Sequence, residues 1–315
     1  MQLSDSAPRL AVGLIAGDLR ERAERSLRHI LAQTALERME VVVVDVNRSG
    51  GSFAGGDHPQ VRYLHRPQFR YYCEAQGEIV RQSRAPVVAF LEDHCYAQPT
   101  WAEEILQTLK NPKVGAVNYT FSYTTGATYL SRSLLMAEYG HWMAPHPGGK
   151  VLITSSTNLA YVRELLLAAM GQDDEIFEAE FLIHREIQKS GWEIHVAPRA
   201  TVAHESWTTL QAGGLANGAV KRLLGARRAE SGNWGKGRRL IWALGMILTP
   251  GLFIARLAKA IRRRPALWGR FIVSLPVLAV IYSYCAWGEA LGYLCGAGPA
   301  REEFLARELA VRRDG

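Results

Sequence analysis

Residues 85–95 read APVVAFLEDHC: seven uncharged residues, then Glu92, Asp93 and His94 with no turn residue between. A short run that is apolar at every position predicts a strand covered on both faces. Such strands belong to parallel or mixed sheets flanked by helices. Two acids and an imidazole at the end of a buried strand are costly unless something positive meets them.

The segments before it repeat the pattern. RLAVGLIAG predicts a first buried strand, RERAERSLRHILAQT an amphipathic helix with Leu27, Ile30 and Leu31 on one face, and MEVVVVDV a second strand ending at Asp45. VRYLH and CEAQGEIVRQS add a short strand and a helix, and TWAEEILQTLK begins a helix with Thr100 as N-cap and acids in its first turn. This rhythm predicts an α/β doubly wound domain with helices on both faces, whose ligands sit outside the carboxyl ends of the strands. Asp45 and the Glu92–His94 cluster stand at such ends. Further on, VGAVNYTFSY predicts a strand, YLSRSLLMAEYG a helix, HWMAPHPGGK a loop, SSTNLAYVRELLLAAMG a strand and helix, DEIFEAEFLIHREIQKSG a charged helix and WEIHVAPRATVAHES a strand.

Composition changes near residue 238. LIWALGMILTPGLFIA is uncharged over sixteen residues and FIVSLPVLAVIYSYCAWG over eighteen, with the basic RLAKAIRRRPALWGR between them. Both lie at the lower limit for a bilayer-spanning helix, about 17–25 residues. Between Lys221 and Arg270 thirteen Lys or Arg face one acid, Glu230, so this stretch carries +12 of a total of +7 and the remainder −5. Cations interleaved with aliphatic runs point to anionic membrane lipid, not to nucleic acid, which takes aromatic and polar residues between the charges. The expected organisation is an α/β domain over 1–210, a basic linker 211–237, membrane-associated hydrophobic helices over 238–300 and a charged tail 301–315. The four cysteines show no metal-type spacing and the N-terminus has no basic and apolar leader pattern, which predicts a reduced, cytoplasmic main body. A simple two-helix anchor with that body in the cytoplasm would put six cations outside, against the positive-inside tendency. Thr249-Pro250-Gly251 and Pro276 also interrupt the two segments. Charge thus favours broken or in-plane helices on the cytoplasmic face of the cell membrane, with the two-helix anchor as the alternative.

The order AVGLIAG, SLRHILAQT, MEVVVVDVNRSGG, APVVAFLEDHC and, later, GWEIHVAPRATVAHES resembles the nucleotide-sugar-binding half of family 2 glycosyltransferases over residues 9–206. The resemblance implies a GT-A fold and transfer of a sugar from a nucleotide-sugar donor with inversion at the anomeric carbon. It assigns nucleotide contacts to Ala16, Asp45, Glu92 and Asp93. The family's Asp-x-Asp-like motif falls on Glu92-Asp93-His94, and a divalent cation, Mn2+ or Mg2+, would be held by Asp93, His94 and His204; His94 stands where the family has an acid. FEAEFLIHREIQKSGW resembles the segment with the catalytic carboxylate, which matches Glu178 to the general base and Glu180 to a supporting acid or a partner of Arg185. Asn158 and Trp142 are candidates for contacts with donor sugar or acceptor, as are His141 and His146 at lower rank. The polymer-gripping Gln-x-x-Arg-Trp of processive members is missing, so one sugar per encounter is expected, onto a lipid-linked or saccharide acceptor such as a cell envelope polysaccharide.

Two other classes share parts of this pattern. A dinucleotide-dependent oxidoreductase would carry Gly-x-Gly-x-x-Gly after the first strand, where GLIAGDLRE stands. A non-catalytic nucleotide-sugar or lipid-binding protein at the membrane shares every feature except a working base, and turnover separates the two.

Overall fold

The computed structural model describes residues 7–310 other than 153 and 156, so the end of the expected charged tail lies outside the described residues. In chain order the elements are β1 (Leu10–Ala16), α1 (Arg20–Leu31), β2 (Met39–Asp45), β3 (Val61–His65), α2 (Tyr72–Gln82), β4 (Val87–Leu91), β5 (Cys95–Ala97), α3 (Trp101–Thr108), β6 (Val114–Tyr123) and α4 (Tyr129–Tyr139). There follow β7 (Gly149–Val151), β8 (Leu159–Val162), α5 (Arg163–Met170), α6 (Phe181–Lys189), β9 (Glu193–His204), α7 (Leu210–Ser231), α8 (Lys236–Gly245), α9 (Thr249–Ile261), α10 (Pro265–Cys295) and α11 (Ala300–Ala310).

The chain forms two compact units, one of residues 1–122 and 146–204, the other of residues 123–145 and 205–315. Residues 123–145, inside the 1–210 stretch of the sequence reading, thus group with the C-terminal helices. Most of the expected basic linker is the helix α7.

In the first unit the described strands form one mixed sheet in the order β3-β2-β1-β4-β8-β6-β9-β5, with β7 beside β9. β3, β2, β1 and β4 are parallel, and β8 pairs antiparallel with β4 and with β6. β1 and β4 are buried at every position and β2 at all but Glu40, which explains their unbroken apolar runs. Ala23, Leu27 and Ile30 give α1 its buried face. The chain runs outward from β1 to β2 and β3, then returns through α2 to β4 on the other side of β1. That reversal opens a crevice at the carboxyl ends of β1, β2 and β4, where register sets Ala16 beside Asp45 and Leu14 beside Leu91.

Two local expectations change. The charged helix is broken: Asp174–Ala179 is a 3₁₀ turn, Glu180 lies at the junction and α6 begins at Phe181. Pro276 does not interrupt α10, which runs through it. It stands on the exposed side of the helix, where a missing N–H costs least.

Candidate functional site

Asp45 ends β2 fully buried. Its Oδ2 meets Nη2 of Arg20 at 2.5 Å and accepts from the Tyr63 hydroxyl, while Oδ1 accepts the Asn47 N–H at 2.8 Å. Arg20 also donates to the carbonyls of Gly51 (3.1 Å) and Ser52 (2.6 Å), pinning the loop after β2 beside the acid. Asp93 meets a second arginine: Nε and Nη2 of Arg22 lie 3.0 and 2.8 Å from its Oδ2, with both side chains almost wholly buried. Cations in the first turn oppose the helix dipole. Arg20 and Arg22 stand there because each answers a strand-end acid.

His94 places its Nδ1 2.9 Å from Asp93 Oδ1 and its Nε2 3.2 Å from Nε2 of His204. His204 arrives by the antiparallel ladder that pairs it with Cys95. Glu92 Oε2 lies 3.4 Å from His94 Nε2 and 3.3 Å from His204 Nε2, so Glu92, His94 and His204 bring three donor atoms together. Burial alone would push the Glu92 carboxyl up, but the two imidazoles hold it well below the ordinary carboxylate value. Separations of 3.2–3.4 Å fit neighbouring ligands on a small divalent cation with donor bonds of roughly 2.0–2.2 Å. Asp93, expected among the ligands, turns instead to Arg22 and to the far nitrogen of His94, the position of a carboxylate that orients a ligating histidine.

The turn before β8 supports this cluster. Asn158 is fully buried; its Oδ1 accepts the Glu92 N–H at 3.1 Å and its Nδ2 donates to Glu92 Oε2 at 2.5 Å. The amide that the sequence suggested for sugar or acceptor is therefore engaged with Glu92. Thr157 donates its hydroxyl to Glu92 Oε1 at 2.7 Å, and its N–H donates to Glu180 Oε1 at 2.6 Å. Its φ of 62° is rare for a β-branched residue. Asn118 on β6 accepts from the Ser155 N–H and hydroxyl at 2.7 and 2.9 Å, anchoring the same turn.

Glu178 lies in the 3₁₀ turn, half-buried, 3.9 Å from the Cys73 thiol; Glu180 is buried at the start of α6. Arg185 pairs with Glu186 at 3.4 Å on the surface. Trp142 and His141 belong to the second unit. Arg20, Arg22 and Thr157 are the members that sequence reasoning missed. The arginines left a signal in LRERAER, cations where a helix start prefers acids.

Residues 20–167 match the model of glycosyl transferase family 2. Among solved structures, the mannosyltransferase PcManGT from Pyrobaculum calidifontis, in complex with GDP-Man and Mn2+, aligns over 93% of this chain and 86% of its own at 17% identity with a TM-score of 0.53. The shared fold is GT-A. GalNAc-T7 with UDP, GalNAc and Mn2+ aligns at 11% identity with a TM-score of 0.46, over 62% of this chain and 43% of its own, so this chain spans less than half of that protein. The curated proteins hold no match to the sequence.

Proposed function

This chain carries a glycosyl transferase family 2 domain over residues 20–167, and from that premise we propose that it moves one sugar from a nucleotide-sugar donor to a membrane-borne or saccharide acceptor, with inversion at the anomeric carbon. The observation that carries the reading is the convergence of Glu92, His94 and His204 at the strand ends that also bear Asp45. In this reading Ala16 and Asp45 line the nucleoside side and Glu92, His94 and His204 hold a divalent cation, with Asp93 orienting His94. Such a cation would bind the donor diphosphate and offset the charge that develops on it. A carboxylate from Glu178 or Glu180 takes the acceptor hydroxyl proton as that oxygen attacks the anomeric carbon from the face opposite the leaving group. One oxygen of Glu180 is already engaged by the Thr157 N–H, which favours Glu178 as base and Glu180 as support. The mannosyltransferase of like fold holds GDP-Man with Mn2+, and the same donor class is the first to try here.

Thermal unfolding of the purified protein with UDP or GDP, with and without Mn2+, tests the site. The nucleotides should stabilise the wild type only with the cation, and H204A should lose the effect. Stabilisation that ignores Mn2+, or survives in H204A, sinks the assignment. Glu178→Gln should then retain nucleotide binding while turnover of the nucleotide sugar falls by about 10²-fold or more. Unchanged turnover in E178Q together with collapse in E180Q would reassign the base, and no turnover of any nucleotide sugar by wild type would favour a binding protein.

A further inference from the structure

Two stretches of the C-terminal unit, Lys236–Ile261 and Pro265–Cys295, are long and apolar enough to cross a membrane. A crossing pair would put its tip, Arg262–Arg264, on the far side of the bilayer from the first unit. The tip is bonded, however. Arg264 is buried and donates from Nη1 to the carbonyl of Met143 at 2.9 Å and from Nη2 to those of Gly140 and His141 at 3.1 Å each. These carbonyls lie at the end of the Tyr123–Pro145 excursion, which the chain leaves for the first unit at His146. The tip of the hairpin and the start of that unit are thus separated by a few residues of chain, too few to traverse roughly 30 Å of hydrocarbon.

The rest of α10 is committed as well. A Cβ added to Gly288 would lie 2.0 Å from the carbonyl oxygen of Gly218, and one added to Gly292 would lie 2.2 Å from that of Arg222, so α7 and α10 touch backbone to backbone. Glu289, buried at this contact, accepts from the Tyr293 hydroxyl at 2.6 Å and pairs with Arg228 of α7. Toward its start α10 meets α4, through Ser274 and Ser133 at 2.9 Å and the Tyr282 hydroxyl on the Ala137 carbonyl at 3.2 Å. α7 carries Lys221, Arg222, Arg227, Arg228 and Glu230, a charge load that keeps it, and the helix locked to it, out of the bilayer centre.

We propose that the hairpin of α8, α9 and α10 does not cross, and that the second unit is a monotopic seat on an anionic bilayer surface, on the same side as the first unit. The hairpin leaves Ile241, Leu244, Ile247, Leu248, Ile272 and Val273 exposed, and clustered exposure of large apolar side chains marks an interaction or membrane surface. Lys236, Arg238 and Arg239 precede the sixteen uncharged residues that carry Ile241, Leu244, Ile247 and Leu248, and Arg256, Lys259 and Arg262 follow them. Apolar side chains between two basic flanks suit an acyl boundary beneath anionic headgroups. A second copy of the chain would cover the apolar residues but set like charges against one another. This inference does not depend on the transferase reading.

The topology is tested with one thiol on each unit. Cys73, Cys95 and Cys285 are buried and Cys295 is exposed, so C295S is a quiet background for A260C, next to the hairpin tip, and for D57C on the first unit. In sealed membrane vesicles a membrane-impermeant maleimide should reach both thiols from the same side. Labelling from opposite sides overturns the proposal. The surface is tested with Ile247→Asp combined with Leu248→Asp, at positions 76% and 77% exposed, where new charge leaves packing intact. Wild type should float with vesicles of phosphatidylcholine and phosphatidylglycerol, and the double variant should stay in solution at unchanged thermal stability. If wild type instead self-associates in solution without floating, and the variant is monomeric, the face is a contact between copies and the proposal fails.

Discussion

Thr157 holds a conformation of φ 62° that costs a β-branched residue about 1–3 kcal/mol, and it spends that strain on two acids, its hydroxyl on Glu92 and its N–H on Glu180. T157V removes only the hydroxyl and should weaken Mn2+-dependent nucleotide binding by roughly 10–100-fold, the usual loss when the support of a ligand is removed. T157S, which keeps the hydroxyl, should retain most of it; titration by calorimetry separates the two, and loss in T157S with binding retained in T157V would mean that bulk, not the hydroxyl, matters. His184 is a second residue whose state is set by its surroundings. Burial pushes its imidazole down to about 4, between the Thr154 hydroxyl at 3.0 Å and the Tyr161 hydroxyl at 2.9 Å. The unfolded chain takes this proton near pH 6.5, so between there and about 4 the unfolded state binds more protons. The stability that His184 confers is whole above pH 6.5 and declines as pH falls through that window, by up to about 3 kcal/mol. Urea midpoints between pH 7 and 5 should fall less steeply in H184Q than in wild type. Glu92, His94 and Asp45 were legible in the sequence because acids directly after apolar strands have no local partner. Thr157 was not, since what it does depends on a backbone angle and on groups 65 and 23 residues away.

Elements show the same division. β1, β2 and β4 were readable because burial on both faces leaves a continuous apolar run, and α1 because Leu27 and Ile30 repeat at helical spacing. The break at Glu180 was not readable, because DEIFEAEF contains no Gly or Pro to end a helix and the 3₁₀ turn there is fixed by distant contacts, such as Arg81 on Asp174 at 2.7 Å. The packing of α10 on α7 was also invisible, although its cause is a set of glycines. Two substitutions in one helix separate packing from propensity. G288A would drive a methyl into the Gly218 carbonyl, while nothing lies within 4 Å of the position a methyl would take at Gly269. Since Ala exceeds Gly in a helix by roughly 0.5–1 kcal/mol, G269A should be slightly more stable than wild type. G288A should lose about 1–3 kcal/mol or more through overpacking. Thermal unfolding ranks them, and a G288A protein as stable as G269A would show that the two helices are not in backbone contact.

At the scale of the whole molecule, charge is divided as the chemistry is. Residues 221–270 carry +12 and the remainder −5, so attraction to an anionic surface acts on the helical unit, while the acid-rich site keeps its own arginines. Not every cation in the basic stretch serves the surface. Arg264 is buried under three carbonyls, whereas Arg262 and Arg263 beside it are exposed. Equal changes of charge at these neighbours should therefore have different outcomes. Arg262→Gln with Arg263→Gln should keep the fold and lose about 1 kcal/mol of surface attraction per cation, together roughly a 30-fold weaker partition onto phosphatidylglycerol-containing vesicles at low salt. That difference should shrink as salt shortens the Debye length to about 10 Å at 0.1 M and below it beyond, and vanish on pure phosphatidylcholine. R264Q should instead lower thermal stability with or without vesicles, because three carbonyls lose their donors. A double variant that partitions as wild type does at low salt would show that the apolar face alone seats the protein and that its basic flanks take no part.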